Sequence, residues 1–280
     1  MNCLLVINEM SGNAAKINER DLLSKYAAED NVSVKRLLSP SDDYSVTGVE
    51  KLIVCGGDGT LFHALEACSG KEIDLYYYPC GTFNERAKAT GGDGVCPLES
   101  CGKIGETPFS YVAAAGSFTD LGQAATSSAK QRFKIFAYFA KVLSSYKVHR
   151  IRASLKTERH AFDGTFTLIM ISNAKRCFGF PFNRLHKKRT NELQLIAIRA
   201  PKKDNLWGRI KMFFPFFRAF FLGVSKEHIG KNLIVTSFQK GVIRLLDNTT
   251  FCLDGESATL SGELTVEKQK EENRLFLINE

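Results

Sequence analysis

Apolar residues follow two rhythms along this chain, and the change between them falls near residue 91. Before it, short unbroken apolar runs alternate with helical spacing. Residues 3–8 (CLLVIN) and 52–55 (LIVC) do not alternate, so they read as strands buried on both faces. Residues 32–37 and 74–78 predict two further strands. A helix is predicted over 16–27 and a short one over 85–89, and Leu61, Ala64, Leu65 and Cys68 recur at helical spacing between them. This βαβαβ order predicts a mainly parallel sheet covered by helices. Ligands of such sheets bind beyond the carboxyl ends of the strands.

After residue 91 the pattern shortens. Glycine-rich segments punctuate 91–94 and 102–108, and a strand is predicted at 109–114. A long helical pattern over 124–148 places Phe133, Phe136, Ala137 and Ala140 on one face. Short strands are then predicted at 151–156, 166–172, 193–199, 233–238, 242–246, 250–253 and 263–268. Such a series predicts an antiparallel, sandwich-like or barrel-like domain. The expected organisation is an α/β domain with a parallel sheet over 1–105 and a β-rich domain over 106–270. A tail over 271–280 would return toward the first.

The chemistry concentrates where the third strand meets its helix, at Gly56-Gly57-Asp58-Gly59-Thr60. Glycines there permit a tight turn and close approach by a ligand. Amides at the helix start form an anion cradle. Asp58 repels phosphate unless a cation mediates, so it points to a magnesium-phosphate site. The alternative is a plain βα turn in which Asp58 caps the helix. Asn8 and the run Gly81-Thr82-Phe83-Asn84 also follow predicted strands, so the three turns are expected to converge.

Composition narrows the class. The chain has 280 residues, 44% hydrophobic and 24% charged, which describes an ordinary globular protein rather than a fibrous or low-complexity one. No long uncharged apolar run suggests a membrane span, and no basic stretch precedes the opening apolar run as in a secretory signal. Eight cysteines lack metal-ligand spacing, and Cys3 and Cys55 sit in apolar runs, so a reducing, cytoplasmic setting is expected. The net charge of +8 is uneven: residues 130–218 hold twenty-one Lys/Arg against four Asp/Glu. Such a field favours an anionic partner. Inside that region, residues 205–223 (NLWGRIKMFFPFFRAFFLG) interleave Trp207 and six phenylalanines with Arg209, Lys211 and Arg218. This fits a segment that docks on an anionic bilayer or lines an acyl-chain pocket, with Pro215 kinking it.

The ordered set of motifs resembles the diacylglycerol kinase catalytic-domain family, which includes bacterial lipid kinases and sphingosine kinases. The set is Asn8-x-x-Ser11-Gly12, then Gly56-Gly57-Asp58-Gly59-Thr60, then Pro79-x-Gly81-Thr82-x-Asn84, and finally Asp254-Gly255-Glu256. The resemblance implies a nucleotide-binding α/β domain and a β-rich lipid-substrate domain, an architecture shared with NAD kinases, with ATP and substrate meeting between them. It places Asn8, Ser11 and Gly12 near the nucleotide, and Gly56, Gly57, Asp58, Gly59 and Thr60 on its phosphates. Gly81, Thr82 and Asn84 shape the adjoining loop. Asp254 matches the base that takes the proton from a lipid hydroxyl, and Glu256 its acidic companion. Magnesium would be held by Asp58, Glu256 and Glu192. The implied activity is transfer of the ATP γ-phosphate to a lipid such as diacylglycerol, in a cytoplasmic protein peripherally associated with an anionic membrane. Nucleic acid is not an expected partner, and a homodimer is compatible with the chain.

Four positions depart from the family pattern. Glu9 stands where proline is usual and His63 where glutamate is usual, and Asn84-Glu85 replaces Asn-Asp. Thr190-Asn191-Glu192-Leu193 replaces Asp-Gly-x-Leu, which removes an aspartate of the metal network. A non-catalytic lipid- or nucleotide-binding homologue is therefore one alternative, and a kinase for a soluble NAD-like substrate is another.

Overall fold

The computed structural model describes residues 1–82, 84–90, 94–98, 100–116, 148–177, 182–187, 190–268 and 274–279. The helix predicted over 124–148 lies outside the described residues apart from Val148. Two compact units are present: Met1–Ser100 with Gln269–Glu280, and Cys101–Lys268.

The first unit contains β1 (Asn2–Asn8), α1 (Glu19–Tyr26), β2 (Asn31–Leu37), β3 (Lys51–Gly56), α2 (Asp58–Cys68), β4 (Asp74–Pro79), α3 (Glu85–Thr90) and β5 (Gly94–Pro97). The closing strand of the chain, Leu275–Asn279, completes its sheet. Strand order is β2-β1-β3-β4-closing strand-β5. Every pairing is parallel except the last, closing strand to β5. The unbroken apolar runs are central and fully covered: Leu5, Val6, Leu52, Ile53, Val54 and Cys55 are each 0% exposed. Burial of each large apolar side chain contributes roughly 1.5–3 kcal/mol. The first helix starts later than its apolar spacing predicts. A 3-10 turn at Ala14–Lys16 comes first, and α1 begins only after Asn18, whose side chain accepts the Asp21 amide at 3.2 Å.

The second unit contains β6 (Gly102–Ile104), β7 (Thr107–Phe109), β8 (Val112–Gly116), β9 (Ile151–Thr157), β10 (Ala161–Ser172) and β11 (Leu193–Arg199). It continues with α4 (Leu206–Phe216), β12 (His228–Ile229), β13 (Leu233–Phe238), β14 (Lys240–Leu253) and β15 (Glu256–Lys268). The β-rich expectation holds: these strands pair into one 10-stranded antiparallel sheet. The strands predicted at 242–246 and 250–253 are one strand, β14, whose pairing to β15 slips between Leu245 and Thr249. The strand predicted at 109–114 is instead split between β7 and β8, with Ser110 and Tyr111 between them.

Helix α4 passes into a π-helical turn at Phe217–Leu222. Pro215 lies inside α4 just before this widening, where its missing N–H removes one rung of the i→i−4 ladder. Met212, Phe216 and Ala219 turn inward and share one core with Leu168, Met170, Ile196, Ile198 and Val235.

Candidate functional site

In the first unit three loops meet at the carboxyl ends of β1, β3 and β4. Parallel pairing of neighbouring strands brings those ends to one edge. The Asn8 side chain donates to Thr60 Oγ1 at 2.8 Å, tying the first loop to the start of α2. Asn13 donates its amide to the Cys80 carbonyl at 2.9 Å and its side chain to the Gly81 carbonyl at 3.3 Å. The amides of Cys80 and Gly81 both donate to the Gly56 carbonyl, at 2.9 and 3.1 Å. The second and third loops are in backbone contact: a Cβ on Gly81 would lie 2.4 Å from the Gly57 Cα. Only glycine at Gly81 permits that approach.

Gly12 and Thr82 are exposed, while Asn8, Ser11, Gly57, Asp58, Gly59 and Asn84 are half-buried and Gly56, Thr60 and Gly81 are buried. The loops thus keep an accessible face beside the start of α2, whose cap residue, Gly57, has no side chain to occupy the first-turn amides. Asn84 adopts a left-handed backbone (φ 49°) and returns its side chain to the Gly81 carbonyl at 2.9 Å.

Asp58 does not cap its own helix. Its two carboxylate oxygens accept the amides of Glu85 and Arg86, at 2.9 and 3.1 Å, so it caps α3. Burial pushes this carboxyl above its ordinary value, against the opposing pull of the two amides. Each oxygen has a second lone pair beyond the one an amide uses.

The second unit holds Asp254 and Glu256 at the β14–β15 hairpin. Leu253 pairs with Glu256, and Asp254 and Gly255 form the two-residue turn with φ of 53° and 109°. Positive φ at both positions is the signature of the Asp-Gly type I′ turn. Turn aspartates usually face water, but Asp254 is 3% exposed. Its carboxylate accepts the amides of Ser110, Tyr111 and Val112, the latter two at 2.9 Å. Its own amide donates to the Val112 carbonyl at 3.0 Å, and its carbonyl accepts the Tyr111 hydroxyl at 3.1 Å. Desolvation raises the Asp254 pKa, and the three amides only partly offset it. The same cluster extends to Asn173, whose side chain donates to the Ser110 carbonyl at 3.0 Å.

Glu256, the first residue of β15, is exposed, and Glu192, just before β11, is half-buried. No cluster of three or more His, Cys, Asp or Glu suited to a metal occurs among the described residues. Magnesium in phosphoryl-transfer sites usually takes only one or two protein carboxylates, with water and phosphate as the other ligands. Asp58, half-buried and with lone pairs remaining, fits that smaller requirement. His63 is 61% exposed and 3.5 Å from Glu66, one turn along α2.

Asn13, Ser110 and Tyr111 were not legible as site residues. Asn13 lies outside any motif, and Ser110 and Tyr111 act through backbone amides, which carry no sequence signature.

A parallel-rich α/β unit with converging loops at its strand ends, joined to an antiparallel β unit, defines a protein with the diacylglycerol kinase fold. Across the whole chain the fold matches a structure of a candidate diacylglycerol kinase from Bacillus anthracis str. Sterne, with a TM-score of 0.70 and 17% identity over 100% of this chain and 97% of that one. A second structure, of a diacylglycerol kinase from the same organism, matches with a TM-score of 0.62 and 14% identity over the same shares. In sequence, residues 2–109, which hold the first three of the four motifs, match the diacylglycerol kinase catalytic domain. No curated protein matches the chain significantly. No described helix is long and apolar enough to cross a membrane.

Proposed function

We propose that this protein is a lipid kinase that transfers the γ-phosphate of ATP to a lipid hydroxyl, with diacylglycerol or a close relative as acceptor. The observation that carries the reading is the backbone approach of Gly57 to Gly81 at the strand ends, within the segment that matches the kinase catalytic domain. Asn8, Ser11 and Gly12 border the nucleotide in this reading. Gly56, Gly57, Gly59 and Thr60 present amides to its phosphates, and Gly81, Thr82 and Asn84 hold the neighbouring loop in place. Asp58 would hold magnesium, with water and phosphate as its other ligands. The ion's chemistry is to neutralise charge developing on the transferred phosphoryl group.

Asp254 accepts the proton of the attacking hydroxyl. Its raised pKa suits a base working nearer neutrality than an ordinary carboxylate. Asp254→Asn should lower transfer to diacylglycerol by about 100-fold or more, with ATP affinity unchanged by calorimetry. Full retention of transfer would remove Asp254 from the base role. Since the ionised form is the active one, kcat/KM should fall on acidification, with its midpoint above the ordinary aspartate value of about 4.

One observation favours a second reading, a homologue that binds ligand without turnover: three backbone amides already engage the Asp254 carboxylate. ATP binding with no transfer to diacylglycerols, sphingoid bases or NAD would select it.

A further inference from the structure

The outward face of α4 and its π-helical extension has no role in the fold. Trp207, Ile210, Phe214 and Leu222 are 71%, 39%, 66% and 60% exposed. Lys211 and Arg218 are exposed on the same succession of turns. With Trp207, Ile210, Lys211, Phe214, Arg218 and Leu222 spaced three or four residues apart or adjacent, they form one stripe. The opposite side is already anchored in the core through Met212, Phe216 and Ala219, at 6%, 3% and 0% exposure. Arg218 Nη1 lies 3.3 Å from His228 Nε2, which places β12 alongside and brings in Ile229, itself 51% exposed.

We infer that this stripe is a docking surface for an anionic lipid bilayer, on which α4 lies in the interfacial plane. Three features select this occupant. Large apolar groups that water must hydrate alternate with cations, the arrangement of helices that insert one face among acyl chains and leave basic groups at the phosphates. Residues 201–222 carry five Lys/Arg and one Asp, and that Asp204 is paired with Arg209 at 3.0 Å. Lys202, Lys203 and Lys211 have no acidic partner among the described residues. A second copy of the chain would bring two such positive stripes face to face in a two-fold contact. The inference deepens the kinase reading by saying where a bilayer-resident acceptor is met, and it rests on that reading only for its purpose, not for its geometry.

Trp207 is the single tryptophan of the chain, so its emission reports this face directly. Without nucleotide, vesicles of phosphatidylcholine with phosphatidylglycerol should shift its emission to the blue and carry the protein down in sedimentation. Pure phosphatidylcholine vesicles should bind at least about tenfold more weakly, and added salt should erase the difference. Phe214→Ala with Leu222→Ala, and separately Lys203→Glu with Lys211→Glu, should each weaken binding by about tenfold or more. All four side chains are exposed, so the thermal midpoint should not move. Unshifted emission with anionic vesicles overturns the inference. Equal binding to both vesicle types overturns it as well, as does a dimer in analytical ultracentrifugation that Phe214→Ala dissociates. Transfer to a dispersed short-chain diacylglycerol, measured without vesicles, tests the kinase reading separately. The docking variants should leave that transfer unchanged, and an equal loss there overturns a role confined to the membrane.

Discussion

Asp58 and Asp254 each stand beside glycine in a motif, and each ends up gripping backbone amides from another loop. Asp58 holds the start of α3, and Asp254 holds the stretch from Ser110 to Val112. Removing the first grip has a definite cost: Asp58→Ala should destabilise the protein by about 0.5–2 kcal/mol, read from urea unfolding, and weaken ATP binding through the displaced loop. A different aspartate contributes to acid stability. Asp30 accepts Lys51 Nζ and lies 3.3 Å from the N-terminal ammonium, and the Lys51 bond holds its carboxyl below the usual range. A depressed pKa stabilises the folded state above the unfolded value of about 4, and that contribution is lost as the pH falls through the folded value. Asp30→Asn should therefore cost about 1–3 kcal/mol near neutral pH and flatten the acid limb of the stability profile. Asp58 and Asp254 have the opposite sign: their raised values favour the folded state below about pH 4, and that term disappears as pH rises.

At the scale of elements, the strands legible from unbroken apolar runs are the buried ones, β1 and β3, and the two after them, β2 and β4, were also found. Short pieces such as β5, β6 and β12 were missed, because two to four residues carry no period. The turn between β3 and α2 was legible as a glycine-rich loop converging with the loop at Gly81, but the backbone contact between the two was not. That Gly57 faces Gly81 depends on β3 and β4 being neighbours in the sheet. Gly81→Ala should consequently force the two loops apart and weaken ATP binding by about 1–3 kcal/mol, measured by calorimetry, with the sheet's circular dichroism unchanged. The Asp-Gly hairpin was legible as a turn, whereas the inward course of its aspartate required β8 beside β14.

For the whole molecule, the closing strand sets a long-range dependence. It lies between β4 and β5, pairing Leu275 with Leu75 and Phe276 with Pro97, and Leu277 and Ile278 are each 0% exposed. Arg274 also bridges to Asp74. Deleting residues 274–280 should open the sheet of the first unit: limited proteolysis would cut within residues 1–100, and ATP binding would be lost. Protection of that unit in the truncated protein would refute the dependence.

By itself the sequence determined the two rhythms, the buried parallel strands, the three turn motifs and the aromatic-basic helix, because each is encoded by residues close together in the chain. Tertiary structure alone decided that Asp58 caps a second helix, that Asp254 is sealed under three amides, and that Trp207 and Phe214 face outward while Phe216 faces in. Those outcomes depend on which distant backbone amides and apolar surfaces arrive beside a side chain. Strand order and packing set that, and no local pattern records it.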